Sequence, residues 1–333
     1  MKYGRLPVLV LAAALPWVLA QAQQAPSPAA GTRLVVTAVP RGGGAEPIET
    51  AQVEVKQGSH KLSIENWAPY TSSDRLDLAL AIDEDTRGLH SALDDLKTFV
   101  TSLPANVAVG IVYFHTATFA VAENFTLDHQ AAAAAIRLPS GSPSSSPSPY
   151  GSLRALILHW PQHPGVRREV VMISDGEEHA GGNDANNSAL QMALGEAVAG
   201  NVVVYTIYAA GNEDTSAHEV DNTQLVPDID AGHKPTPTPL QVFRNSNLDQ
   251  ANGNNNLSQL SKATGGESYS QGITTGSRMT SYFTDISRRL ESQYQLTVLP
   301  YLSDGNGLVG LKVKINHTDA KVTAPEKIYV AKQ

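Results

Sequence analysis

LALAIDEDTRG, residues 78–88, decides how this chain folds. An apolar run ends abruptly on Asp83, and a second acid follows at Asp85. The run extends back to Leu76 with almost no alternation, as expected of a strand covered on both faces. Downstream, GLHSALDDLKTFVTSL places Leu89, Leu93, Leu96, Phe99, Val100 and Leu103 at helical spacing. NVAVGIVYF is another apolar strand, and TFAVAENF alternates. DHQAAAAAIRL predicts a helix with Asp128 as N-cap, and YGSLRALILHW predicts a second helix. REVVMIS predicts a strand, NSALQMALGEAVAG a helix stopped by Gly200, and VVVYTIYA a strand. Apolar strands that alternate with helices predict an α/β, Rossmann-like fold: a mostly parallel sheet with helices on both faces. In such sheets ligands bind beyond the carboxyl ends of the strands, where Asp83 and Asp175 would both lie.

Bulk composition narrows the setting. The chain has 333 residues, 41% hydrophobic and 17% charged, with a net charge of −8. Arg167-Arg168 and Arg288-Arg289 are pairs rather than patches, so nucleic acid is not expected as a partner. Residues 1–22 have the pattern of a signal peptide: Lys2 and Arg5, then LPVLVLAAALPWVLA, then Ala20-Gln21-Ala22 as a cleavage site. The alternative is an uncleaved anchor; no later stretch is long and apolar enough to span a membrane. There is no cysteine, which excludes both a disulfide framework and a lipid-modified cysteine after the signal. These features predict a secreted or periplasmic protein without a stable membrane span after signal removal.

The expected organisation is a flexible leader over 23–32, a β-ribbon over 33–70, a main domain over 71–293 and C-terminal strands over 294–333. The ribbon and the C-terminal strands would form a small accessory β region. Gln57-Gly58-Ser59 separates two alternating runs as a hairpin would. Residues 211–255 are rich in Asn, Asp, Pro and Thr, and are expected to form a long polar surface loop inserted in the domain. NLSQLSKATGG then resumes a helix closed by Gly265-Gly266, and Met279, Phe283, Ile286 and Leu290 mark a last one. YQLTVLPY, GLVGLKVKIN and EKIYVAK predict a meander, with Asp304-Gly305-Asn306-Gly307 as a hairpin turn.

The order of these elements resembles a von Willebrand factor type A domain, and in particular the secreted bacterial group called VWFA-related. LALAIDEDTRG, VAVGIVYF, EVVMISDGEEH, LSQLSKATGGESY and LESQYQLTVLPY carry the resemblance, which covers residues 33–331 at the level of organisation. It implies a metal-ion-dependent adhesion site built from Asp-x-Ser-x-Ser, a Thr from a later loop and an Asp after the fourth strand. Mg²⁺ takes six oxygens in near-octahedral geometry and keeps several waters. On that pattern Asp83 and Asp175 match the two acids, Asp85 replaces the first Ser and Arg87 the second. The Thr position falls in a Pro-rich loop, where Ser146 and Ser148 flank Pro147.

Arg87 has no lone pair to give a metal and stays charged. Two readings stand: a tethered cation paired with Asp83 and Asp175, or a side chain turned to solvent. The expected site is therefore degenerate, with Asp83, Asp85 and Asp175 as its acids and no cofactor; Mg²⁺ or Ca²⁺ is the alternative. Glu177 and Glu178 are expected to be a solvated acidic run rather than cation ligands. His159 and His163, in HWPQH, are expected at the surface, and His115 in structural or loop use. HEVDN at 218–222 lacks the second His of a zincin motif. No Gly-x-Ser-x-Gly elbow, phosphate-binding Gly loop or dinucleotide fingerprint occurs.

By resemblance, the chain is expected to be a non-enzymatic binding module for a protein or cell-envelope partner. Glu84, Arg87, Ser146, Ser148 and Glu177 would lie on the binding face at the strand ends. Metal-dependent adhesion, a structural envelope role and hydrolysis by clustered acids are the other readings, and the last lacks a nucleophile placed beside a base.

Overall fold

A computed structural model describes residues 31–42, 47–86, 89–140, 148–161, 163, 165–178, 187–209, 239–270, 279–301 and 307–330; the expected signal peptide and most of the leader lie outside them. In chain order the elements are β1 (Thr32–Pro40), β2 (Val53–Gln57), β3 (His60–Lys61), β4 (Ser63–Pro69), β5 (Leu76–Asp83), α1 (Leu93–Ser102), β6 (Val107–His115) and β7 (Thr118–Thr126). There follow α2 (His129–Ala134), α3 (Pro149–Leu158), β8 (Arg167–Ser174), α4 (Ser188–Ala199), β9 (Val202–Tyr208), α5 (Pro239–Thr264) and β10 (Ser268–Tyr269). The chain closes with α6 (Thr280–Glu291), β11 (Gln293–Leu299), β12 (Gly307–Ile315), β13 (Ala320–Thr323) and β14 (Lys327–Val330).

β5 is buried along its whole length and runs parallel between β6 and β8. Its side chains divide by parity. Leu78, Leu80 and Ile82 join the core made with α1, α2 and α6, alongside Leu96, Phe99 and Phe283. Ala79 and Ala81 point to the other face, where Tyr150, Leu153, Leu190, Leu194 and Leu257 of α3, α4 and α5 pack closely on them. Bulky residues on one face and small ones on the other set how near each helical layer can approach. Asp83 shares the parity of the alanines, so the strand delivers its carboxyl to the α3–α4–α5 side.

The six-stranded central sheet has the order β10-β9-β8-β5-β6-β7. All its pairs are parallel except β6 with β7, an edge strand whose alternating burial fits its alternating sequence. Chain direction across the sheet reverses between β5 and β8. This is the doubly wound, mostly parallel sheet expected from the sequence.

Beside it, two four-stranded antiparallel sheets, β13-β1-β11-β4 and β14-β12-β2-β3, enclose a separate core of Leu34, Val36, Val55, Leu62, Leu296, Val298 and Ile328. The strands flanking the central sheet in sequence thus build the expected accessory β region together. Gly58, with φ of 57°, turns between β2 and β3 as the hairpin reading required. The meander was misread in one respect. β11 has β1 and β4 on its two sides, while β12 pairs with β2 and β14, so β11 and β12 do not form a hairpin; Asp304, Gly305 and Asn306 of the expected turn lie outside the described residues. Both edges of β11 are occupied, which leaves β12 nowhere to pair. β13 was not anticipated; its four residues carry too short a pattern to register.

The second correction concerns the expected polar loop over 211–255. Residues 211–238 lie outside the described residues, but α5 runs unbroken over Pro239–Thr264. The segment has few apolar residues because it docks partly through polar and small ones. Gly253, Asn256, Ser261 and Thr264 are buried beside Leu257, Leu260 and Ala263. Two buried polar clusters tie the layers together. Arg289 of α6, 1% exposed, pairs with Asp285 at 2.7 Å and with Glu267, which also binds Lys321 of β13 at 3.0 Å. Gln293 accepts from Arg167 and donates to Glu169 and to the Tyr205 hydroxyl, each at 3.1 Å.

Candidate functional site

Asp83 closes β5, and Asp175 follows β8, its neighbour in the sheet. Both are buried at the carboxyl end of the sheet, at the point where strand order reverses. The Asp83 carboxylate is engaged on both oxygens: the Asp85 amide donates to Oδ1 at 3.2 Å and the Ser174 hydroxyl to Oδ2 at 2.7 Å. Ser174 Oγ in turn accepts from the Gly176 amide at 3.0 Å, and Thr86 Oγ1 donates to the Asp83 carbonyl at 2.7 Å. Burial, and then the charge of Asp175, push the Asp83 carboxyl up to about 8. Two buried carboxyls side by side oppose each other's ionisation, so Asp83 keeps its proton to higher pH than an ordinary carboxyl.

The turn after β8 is fixed by its own backbone. Gly176 has φ of 70°, Glu177 N donates to Asp175 Oδ1 at 3.0 Å, and the Tyr150 hydroxyl donates to the Gly176 carbonyl at 2.8 Å. Burial, followed by the surrounding acids Asp175 and Glu178, raises the Tyr150 hydroxyl well above its ordinary value. α5 lies directly against this turn. A Cβ placed on Gly253 would fall 2.3 Å from the Asp175 carbonyl oxygen, so helix and turn meet backbone to backbone.

Ser148 caps α3 by accepting from the Gly151 amide at 3.1 Å, and its hydroxyl donates to Glu178 Oε2 at 2.8 Å. Glu84 turns away from the aspartates. Arg137 grips both its oxygens, and the Ser140 amide donates to it at 2.6 Å. Burial alone would raise the Glu84 carboxyl, but these hydrogen bonds outweigh it and hold it below its usual value. The Arg137 guanidinium also stacks over the Tyr113 ring at 3.9 Å.

Glu177 and Glu178 are 2% and 1% exposed, which corrects the reading of a solvated acidic run. The Gly176 turn directs both inward, Glu177 against Gly253 of α5 and Glu178 to Ser148 at the start of α3. Arg87, Ser146 and the HEVDN segment lie outside the described residues. His115 ends β6 exposed. His159 hydrogen-bonds the Ala155 carbonyl at 2.8 Å at the end of α3, and His163 pairs with Asp77 at 2.7 Å, at the opposite end of the sheet. Sequence reasoning missed Ser174, Tyr150, Arg137 and Gly253, which hold the acids in place. Ser174, directly before Asp175, is the one of these that local sequence signals.

The residues of this end offer a divalent ion an incomplete set of ligands. The Asp83 oxygens each accept one hydrogen bond and Ser148 both donates to Glu178 and caps a helix, so a metal would have to share them, and Arg87 has no lone pair to give. Among the described residues no three Asp, Glu or His side chains converge as metal ligands.

No family model matches the chain, and no curated protein does. Among solved structures, the chain is similar to an aerotolerance-related membrane protein from Bacteroides fragilis, at 17% identity over 65% of this chain and 98% of that one, with a TM-score of 0.39. It is similar to BatB from Bacteroides thetaiotaomicron at 17% identity, covering 65% and 97%, with a TM-score of 0.39. A third is the pilus adhesin SpaC from Lactobacillus rhamnosus, at 10% identity over 88% and 44%, with a TM-score of 0.40. Among the described residues no helix is long and apolar enough to cross a membrane.

Proposed function

We propose that the chain is an exported, non-enzymatic binding module of the type A kind, which engages a protein or cell-envelope partner without a bridging metal ion. The observation that carries this reading is the placement of Asp83 and Asp175 on adjacent strands at the switch point, where doubly wound sheets bind their ligands. The binding face consists of the loops after β5, before α3 and after β8, with Glu84, Arg87, Ser146, Ser148 and Glu177 among their residues. Glu84, Ser148 and Glu177 are buried and hydrogen-bonded in the protein; they shape those loops, and neighbouring loop residues meet the partner. Arg87 supplies the positive charge that a metal would bring to the aspartates. Fold alone does not assign function; the serine hydroxyls paired with carboxylates here, Ser174 with Asp83 and Ser148 with Glu178, are buried within the protein, which supports binding over catalysis.

Cross-linking mass spectrometry on envelope fractions of the producing cells tests the face. Cross-links to a partner should fall within residues 84–88, 140–148 and 177–187 and survive EDTA. Cross-links confined to the accessory sheets would overturn the assignment. A second reading, metal-dependent adhesion through Mg²⁺ or Ca²⁺, is favoured by the density of buried acids at this end: Asp83, Asp85, Asp175, Glu177 and Glu178. Calorimetric titration with Mg²⁺, Mn²⁺ and Ca²⁺ separates the two. The metal-free reading expects no heat for the natural chain and a gain for Arg87→Ser; tight binding by the natural chain establishes the second.

A further inference from the structure

The opposite end of the central sheet holds a second site of contrary charge. A cavity of about 380 Å³ opens where the amino ends of β8 and β9 meet the accessory strands β1 and β11. Among the described residues its lining contains three arginines, Arg33, Arg167 and Arg168, and no acidic residue. In a chain of net charge −8 this concentration is local and deliberate in its geometry: Arg33 comes from β1 and joins a pair more than a hundred residues away.

Each arginine is held differently. Arg167 is 6% exposed; its guanidinium lies over the Tyr70 ring at 4.3 Å and bonds the Leu290 carbonyl at 3.3 Å and Gln293. Its buried Nε has no acceptor among the described residues. Buried this deeply, Arg167 lends the cavity positive charge rather than an accessible donor. Arg168 donates one nitrogen to the Gly200 carbonyl, which leaves the rest of its fork available. Arg33 has no side-chain partner among the described residues. Of the nearby acids, Asp77 is held by Arg75 at 2.9 Å and His163 at 2.7 Å, while Glu169 is held by Gln293 at 3.1 Å and by Arg167 itself at 3.8 Å, which leaves Arg33 and Arg168 as the less compensated charges. Glu65 stands at the rim beside Gly31.

We propose that this cavity binds a small oxyanion, a phosphate or a carboxylate, through Arg33, Arg167 and Arg168. Planar guanidinium forks match both groups in two-point contacts. The eight residues of β5 put this site roughly 25 Å from the Asp83–Asp175 end, so it is independent of the binding face proposed above.

The test is thermal denaturation and calorimetry of the purified protein with sodium phosphate, sodium citrate and sodium chloride at one ionic strength. Saturable stabilisation by phosphate or citrate beyond chloride is expected, and which of the two acts identifies the ligand's chemistry. Arg33→Ala, an exposed position, and Arg168→Gln should each weaken binding about tenfold or more, the loss expected for a charge-assisted contact. Glu65→Gln should strengthen it, and Asp175→Ala should leave it unchanged. Stabilisation no greater than that by chloride, or equal affinity in folded Arg33→Ala, would overturn the proposal.

Discussion

Replacing Gly253 with alanine tests whether α5 seals the acidic end of the sheet. In an exposed helix, alanine in place of glycine stabilises by about 1 kcal/mol. At Gly253 the new methyl would lie 2.3 Å from the Asp175 carbonyl oxygen, 3.2 Å from Glu177 Cγ and 3.3 Å from the Gly176 carbonyl carbon. The first distance is roughly 1 Å short of ordinary contact, and its partner is backbone in a hydrogen-bonded turn that cannot swing aside. Overpacking of this kind costs about 2–3 kcal/mol, so the net loss should be about 1–2 kcal/mol, lowering Tm by about 2–4 °C per kcal/mol. Gly195, inside α4, is the control: a Cβ there meets nothing within 4 Å, and Gly195→Ala should stabilise by about 0.5–1 kcal/mol. Urea denaturation followed by the fluorescence of the buried Trp160 measures both. If Gly253→Ala stabilises the protein as Gly195→Ala does, α5 does not rest on the Asp175 turn and the described closure of this end is wrong.

Three further outcomes follow from the buried polar groups. Ser174→Ala removes the donor to Asp83 and the acceptor of the Gly176 amide together, and should cost about 1–3 kcal/mol in urea denaturation. Arg289→Met leaves Asp285 and Glu267 without their buried cation and should cost about 3–5 kcal/mol, read the same way. Burial would raise the Asp285 carboxyl, but bonds from Arg289, Arg288 and Tyr269 outweigh it and hold it down to about 2. Because the folded value lies below the unfolded one, its contribution is complete above about pH 4 and is lost as pH falls toward 2. Denaturation of the natural chain and Asp285→Asn between pH 5 and 2 should show the difference between them narrowing over that window; a constant difference would contradict the assignment.

The sheet was legible because its strands announce themselves. β5, β8 and β9 are buried on both faces, so they carry apolar runs with little alternation, Leu78–Ile82, Val170–Ile173 and Val202–Tyr205, and such runs admit few other structures. The positions of Asp83 and Asp175 followed from where those runs stop. α5 escaped for the opposite reason. Over residues 249–255 it carries only small and polar residues, with Gly253 buried, so no apolar stripe marks that stretch and its asparagines imitate a loop. The burial of Glu177 and Glu178 escaped likewise, because it depends on elements distant in sequence: Gly253 of α5 beside Glu177 and Ser148 before α3 beside Glu178. The cavity at the other end was hidden by separation in sequence. Arg167-Arg168 alone is an unremarkable pair, and only the pairing of β1 with β11 brings Arg33 to it.

That pairing also sets an order of events for folding. β1 joins β11 with Thr32 opposite Val298, and β2 joins β12 with Val53 opposite Ile315, so each contact closes a loop of about 260 residues. The central sheet closes shorter loops, the longest between β5 and β8 with Leu76 opposite Arg167. Contacts of such long range form late, and the accessory core of Leu34, Val36, Leu296 and Val298 cannot exist until the C-terminal strands have been made. The two small sheets therefore act as a clasp that joins the ends of the chain. Cutting back either end should open the clasp and bare its apolar lining, even though the central sheet and its acidic end lie wholly within the part that remains.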